Sequence, residues 1–318
     1  MMTAIVKIKD LTKSFNGRTA VDRLTLSVEE GDIFGFVGPN GAGKTSTIRM
    51  MATLLKPDRG DIWISGHSAF KDPRQVKKAI GYMPDFFGVY NDMKVWEYLD
   101  FFAACYRLSE SERAPLIDDL LELVDLSHRR EDLVESLSRG MKQRLSLART
   151  LVHDPQVLIL DEPASGLDPR ARVEIRELMV ELARLGKTIF FSTHILADVA
   201  EISTRVGIIE AGKLIGVGTP EELQIHLLPH RLVQITLLER AEEAADYLAQ
   251  IEGVTVVDAA KGNNRLRTRL EIQFAGDDLA LSRLLTNLTA EGFPIIHFSE
   301  NSRDLEQVFM RATKGLVT

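Results

Sequence analysis

Between an apolar run, Ile33-Phe34-Gly35-Phe36-Val37, and the opening of a helix, Ser46-Thr47-Ile48-Arg49-Met50-Met51, lies the segment Gly38-Pro39-Asn40-Gly41-Ala42-Gly43-Lys44-Thr45. Few folds accept that order. The segment fits G-x-x-x-x-G-K-[ST] in the strand, loop, helix context that the motif requires. Its glycines let the backbone come close to an anion, and the positive end of the following helix dipole faces the same point. Gly38, Pro39, Asn40, Gly41, Ala42, Gly43, Lys44, Thr45 and Ser46 are therefore the candidate phosphate cradle. Lys44 is expected to reach the β- and γ-phosphates of a nucleoside triphosphate, and Thr45 to hold Mg²⁺ through its hydroxyl. The alternative, a glycine-rich turn with a chance Lys-Thr, fits these flanks poorly.

A second constellation follows at Val157-Leu158-Ile159-Leu160, a continuous apolar run that ends in Asp161-Glu162. Such a run reads as a strand buried on both faces of a parallel sheet. Two carboxylates at its tip suit a site that handles a cation and a proton. Asp161 is the candidate for orienting Mg²⁺, and Glu162 for accepting the proton of an attacking water. Taken alone, Asp-Glu after a strand is also an ordinary start to a helix.

The residues that follow resemble, in order, those of the nucleotide-binding subunit of ATP-binding cassette (ABC) transporters, over roughly the first 225 residues. Leu137-Ser138-Arg139-Gly140-Met141 is similar to the family signature, Ala164-Ser165-Gly166-Leu167-Asp168 to its D-loop, and Ser192-Thr193-His194 to its switch histidine. Phe15 matches the aromatic on which adenine stacks. The resemblance implies that Ser138 and Gly140 meet the γ-phosphate of ATP held by a second protomer, that Asp168 of the D-loop is among the nucleotide-binding residues, and that His194 contacts the γ-phosphate and helps hold Glu162 and the water. Read from the residues alone, Ser138 and Gly140 precede the helix-period stretch Met141 to His153, where a serine is ordinarily a cap. By the same reading His194 could be a structural residue at a strand end, and Phe15 part of a sheet core.

Two positions depart from the family pattern. Asp85, after Ala79-Ile80-Gly81-Tyr82-Met83-Pro84, stands where a glutamine usually touches Mg²⁺ and the attacking water. An ionised carboxylate can bind the metal but cannot donate a hydrogen bond. Asp85 is thus a candidate metal ligand, with a solvated loop residue as its alternative. Arg139 stands where glycine is commonest, and is expected to be an interface or solvent residue.

The 318 residues suggest about two domains, and 45% hydrophobic residues suffice for real cores. A formal net charge of −7 gives no basic footprint for nucleic acid. No apolar run approaches the roughly 18 to 20 residues that span a bilayer, and a signal peptide is not expected at Met1-Met2-Thr3-Ala4-Ile5-Val6-Lys7. The single Cys105 excludes an intramolecular disulfide and is expected to pack in an apolar helix.

Along the chain, residues 4 to 30 read as short antiparallel strands turning at Gly17, and residues 88 to 136 as helical, with Ser109 and Glu112 forming a capping box. Phe86, Phe87, Tyr90, Trp96, Tyr98, Phe101 and Phe102 are candidates to line a groove for a permease helix, core packing being the alternative for most of them. After Pro229 the pattern becomes βαββαβ, the order of a ferredoxin-like domain. It closes on Asp304-Leu305-Glu306-Gln307-Val308-Phe309, similar to the last helix of the drug-resistance and polysaccharide-export branch.

The expected fold is α/β: an ABC-type P-loop nucleotide-binding domain over 1–228, with an inserted helical subdomain at about 88–150, and a small α+β ferredoxin-like accessory domain over 229–318. The resemblance implies an ATP- and Mg²⁺-dependent ATPase that works as a homodimer and powers a separate membrane permease, for export. Its expected place is the cytoplasm, peripheral on the inner face of the cell membrane. The alternative is a non-transport ABC ATPase of the translation or DNA-repair type.

Overall fold

The computed structural model describes residues 4–86, 88, 92–227, 231–261 and 268–300, without the side chains of 225–227 and 257–261. Phe87, Tyr90, Pro229 and the segment Asp304 to Phe309 lie outside these described residues. The chain divides into two compact units, one running to Pro220 and one beginning at Glu221.

The first unit opens on a hairpin of two 12-residue strands, Ala4–Phe15 and Arg18–Glu29. They are longer than the short strands expected. Asn16 and Gly17 both have positive φ, 49° and 83°, which is the two-residue turn whose twist matches the flanking strands. The hairpin belongs to an antiparallel four-stranded sheet with Arg59–Ile64 and His67–Ser68. Beside it lies a six-stranded sheet whose order places Ile33–Val37 between Thr188–Thr193 and Arg205–Glu210, and Val157–Asp161 between Thr188–Thr193 and Ile80–Met83. Those five strands are parallel, and Lys213–Gly218 adds an antiparallel edge.

Every residue of Ile33–Val37 and of Val157–Asp161 is buried. That is why these strands read as unbroken apolar runs instead of alternating ones. Phe34 stacks on Phe190 at 5.3 Å between ring centroids, in a core that also holds Ile48, Met50 and Met51 of the helix Lys44–Met51 and the inward face of the antiparallel sheet. The helix that follows the phosphate loop is thereby fixed on its buried side.

Among the described residues, the inserted region carries the α-helices Val95–Cys105, Glu110–Leu123 and Arg139–Leu151. Glu112 accepts from the Ser109 amide at 2.8 Å, as the capping-box pattern predicts. Tyr98 is core, only 1% exposed, whereas Phe86 is 65% exposed. Cys105 is exposed at the end of its helix, contrary to its expected packing role. A groove of about 440 Å³ runs between this region and the strand Ile80–Met83, lined among others by Tyr82, Pro84, Phe102, Tyr106, Arg149 and His153. Tyr106 and His153 stack there at 3.9 Å.

The second unit carries strands Arg231–Leu237, Val254–Lys261, Thr268–Phe274 and Ile295–Glu300 with helices Ala241–Ala249 and Asp278–Ala290. The strands are antiparallel, and Thr268–Phe274 and Arg231–Leu237 are central, as in a ferredoxin-like βαββαβ sheet. Its core is its own: Val233, Ile235, Leu270 and Ile272 pack against Leu248, Leu284 and Leu288. Among the described residues no helix is long and apolar enough to cross a membrane.

Candidate active site

Parallel pairing sets the carboxyl ends of four strands along one edge of the six-stranded sheet. Gly38 follows the first, Glu162 the second, His194 the third, and Pro84-Asp85 the fourth. Ligands of open α/β sheets bind at such an edge. Residues up to 156 positions apart in sequence, Gly38 and His194, are thus delivered to one crest by backbone pairing alone.

The phosphate loop is tightly seated. A Cβ at Gly38 would lie 2.9 Å from Cγ2 of Ile209 and closer still to its carbonyl oxygen, and Gly43 takes φ of 104° under the Ala20 carbonyl. Glycine is needed at both places. Lys44 is 6% exposed and donates to the carbonyls of Gly38 at 2.6 Å and Pro39 at 3.2 Å, so its ammonium lies across the loop's mouth. Burial pushes its pKa down, and the negative charges of Glu162 and Asp161 act against that shift.

Asp161 is fully buried and accepts from Ser192 Oγ at 2.6 Å and Thr45 Oγ1 at 3.4 Å, both on Oδ1. Its Oδ2 is buried with no hydrogen-bond partner. Burial raises its pKa, and the nearby charges of Asp85 and Glu162 add to the rise. A buried carboxylate oxygen left open beside a hydroxyl is a hard oxygen set. It suits Mg²⁺, which takes one or two protein oxygens and completes its shell with water and phosphate.

Glu162 sits at φ 51°, a left-handed conformation that an L-residue rarely holds. Its amide is anchored to Ser192, through the carbonyl at 3.2 Å and the hydroxyl at 3.1 Å. The bend turns its carboxylate to Lys44 Nζ, 3.6 Å from Oε1, and to His194 Nδ1, 2.8 Å from Oε2. A cavity of about 380 Å³ results, lined by Asn40 to Ser46 with Ala20, Asp85, Glu162, Ser165 and His194.

Seven expected residues are not among those lining it: Gly38, Pro39 and Asp161, which stand directly behind Lys44 and Thr45, and Ser138, Gly140, Asp168 and Phe15, which do not touch the loop. Ser138 caps the helix Arg139–Leu151, its Oγ accepting from the Met141 amide at 3.3 Å, and Asp168 caps Pro169–Arg184 through the Ala171 amide at 3.0 Å. Gly140 packs closely on that second helix, where a Cβ would meet Ala171 Cβ at 3.0 Å. Phe15, at the hairpin end, is 44% exposed, so it is not sheet core.

Sequence reasoning missed three supports. Ser192 orients both carboxylate positions. Buried Gln143 donates to the Pro163 carbonyl, pinning the loop after Glu162. Ala20 lines the cavity and crowds Gly43. A hydroxyl directly after the apolar run Ile189-Phe190-Phe191, in a strand buried throughout, was the available signal for Ser192.

The sequence pattern of the family described as "ABC transporter" matches residues 21–165. The linearmycin resistance ATP-binding protein LnrL of Bacillus subtilis is 30% identical over 97% of this chain and 98% of its own length. The Nod factor export ATP-binding protein I of Paraburkholderia xenovorans is 33% identical over 91% and 98%, respectively. Among solved structures, an ATP-binding subunit of an ABC transporter superposes with a TM-score of 0.64 at 30% identity, covering 70% of this chain and 92% of that one.

Proposed function

The chain belongs to the ABC transporter family as an ATP-binding, ATP-hydrolysing subunit, and from that premise we propose its residue roles, its assembly and the direction of transport. Lys44 and the amides of Asn40 to Ser46 hold the β- and γ-phosphates. Thr45 and Asp161 would hold Mg²⁺, with Asp85 close enough to bear on it; the metal, when bound, neutralises charge on the phosphates. Glu162 takes the proton of the attacking water, and His194 fixes the carboxylate that does so. Phe15 stacks on adenine.

The chain works as a homodimer. Ser138, Gly140 and Asp168 act on the nucleotide of the partner protomer, a reading supported by their position outside the cavity of their own chain. The permease contact is the groove at Tyr82, Phe102, Tyr106 and His153. It adjoins Pro84 and Asp85, and so joins the membrane subunit to the crest through one strand. That contact brings the chain to the inner face of the membrane. Export is the direction favoured, because similar proteins carry resistance and export in their names.

Glu162 carries the reading, since its two oxygens face Lys44 and His194 at the mouth of the loop. Glu162→Gln is expected to keep ATP affinity and lower turnover by about 10² to 10⁴ fold, the range of a lost general base. Size-exclusion chromatography with ATP and Mg²⁺ should show the variant as a trapped dimer. Normal hydrolysis by Glu162→Gln would remove the residue from the mechanism.

A further inference from the structure

Arg139 is exposed, as a solvent residue would be, yet its guanidinium is engaged within its own chain. Nη2 donates to the Ser165 carbonyl at 3.3 Å. The guanidinium also lies over Gly166, where a Cβ would meet its central carbon at 2.5 Å. Gly166 has φ of 68°. Glycine is therefore favoured there twice, by the backbone angle and by the overlying arginine.

The loop that Arg139 grips begins at Glu162. Ser165 donates its amide to the Glu162 carbonyl at 3.1 Å, and Ser165 lines the phosphate cavity. One residue before Arg139 is Ser138, which leaves its own chain's cavity and caps the same helix. A continuous path thus runs from Ser138 to Arg139, to Ser165, to Glu162. Gln143, one turn along the helix, holds Pro163 of the same loop. The path has two ends with different nucleotides, if Ser138 serves the partner's ATP and Glu162 its own.

We propose that Arg139 is a positioning residue that couples the two ATP sites of the dimer, an inference that rests on the homodimeric ATPase reading above. A γ-phosphate meeting Ser138 draws on the start of the helix. Arg139 passes that displacement to the Ser165 carbonyl, and so to the loop that carries Glu162 of the other site. A charged donor on a carbonyl is a stronger contact than a neutral one, and a glycine at this position would lack it.

Two measurements test this. In the nucleotide-free protein, Arg139→Ala should speed amide hydrogen exchange across residues 163–168 by about tenfold, roughly the worth of one charged hydrogen bond, while Arg139→Lys, which keeps a donor, should restore most of the protection. In steady-state hydrolysis, Arg139→Ala should lower the Hill coefficient for ATP towards one and reduce kcat with little change in half-saturation. A merely structural arginine would not separate these parameters. Unchanged exchange in Arg139→Ala overturns the contact. A parent enzyme without cooperativity, or a variant that keeps the parent's Hill coefficient, overturns the coupling. Absence of hydrolysis in the parent would instead remove the ATPase reading beneath it.

Discussion

Asp85 brings a third carboxylate to the crest, and its charge already reaches Asp161, whose proton affinity it raises. That same charge favours a divalent cation. Asp85→Ala is expected to raise the Mg²⁺ concentration for half-maximal hydrolysis by roughly fivefold, about 1 kcal/mol for a unit charge acting through a solvent-rich site. Asp85→Gln keeps an oxygen ligand and should raise it less; ATP affinity should change in neither. A Mg²⁺ titration of the ATPase rate decides it, and identical curves for Asp85→Ala and the parent would make Asp85 a solvated loop residue. At this scale the sequence was legible wherever chemistry dictates residue type: a glycine at φ 104°, a lysine across a phosphate loop, a carboxylate at a strand tip. It was silent on Gln143, and it marked Arg139 as a departure without showing its intrachain partner, because a side chain that holds a distant carbonyl leaves no periodic or motif trace.

The helix Arg139–Leu151 presents Ser138 at its start and buries Leu145, Leu147 and Ala148 farther on. Its two ends therefore have separate jobs. If the start serves the partner's site, Ser138→Arg and Lys44→Ala homodimers should both be inactive, and an equal mixture should recover ATPase activity from heterodimers with one intact site. Losing the Ser138 cap costs about 1 kcal/mol, so the variant should still fold. Full activity of the Ser138→Arg homodimer would contradict the shared site. Among elements, the parallel strands were readable because each is buried on both faces. The opening hairpin was harder: register shifts between Ile8 and Leu11 and between Leu11 and Lys13 break its alternation, so two 12-residue strands look like several short ones.

Every residue lining the phosphate cavity precedes Pro220, while the βαββαβ unit has a core of its own. A chain ending at Pro220 is accordingly expected to fold and to bind ATP within about twofold of the full protein, the usual tolerance between independent sites. Fluorescent-nucleotide titration measures it; loss of binding in a folded truncation would assign the second unit a part in the site. The parallel sheet also has a consequence for how the protein is made. Its strand Ile33–Val37 must wait for Thr188–Thr193 and Arg205–Glu210 before either of its edges is paired. At about 5 to 20 residues per second, a ribosome leaves that apolar strand without its neighbours for roughly ten to thirty seconds. The nascent chain thus holds a buried apolar strand open through about half of its own synthesis, and a holdase that recognises unpaired apolar strands has a long opportunity there.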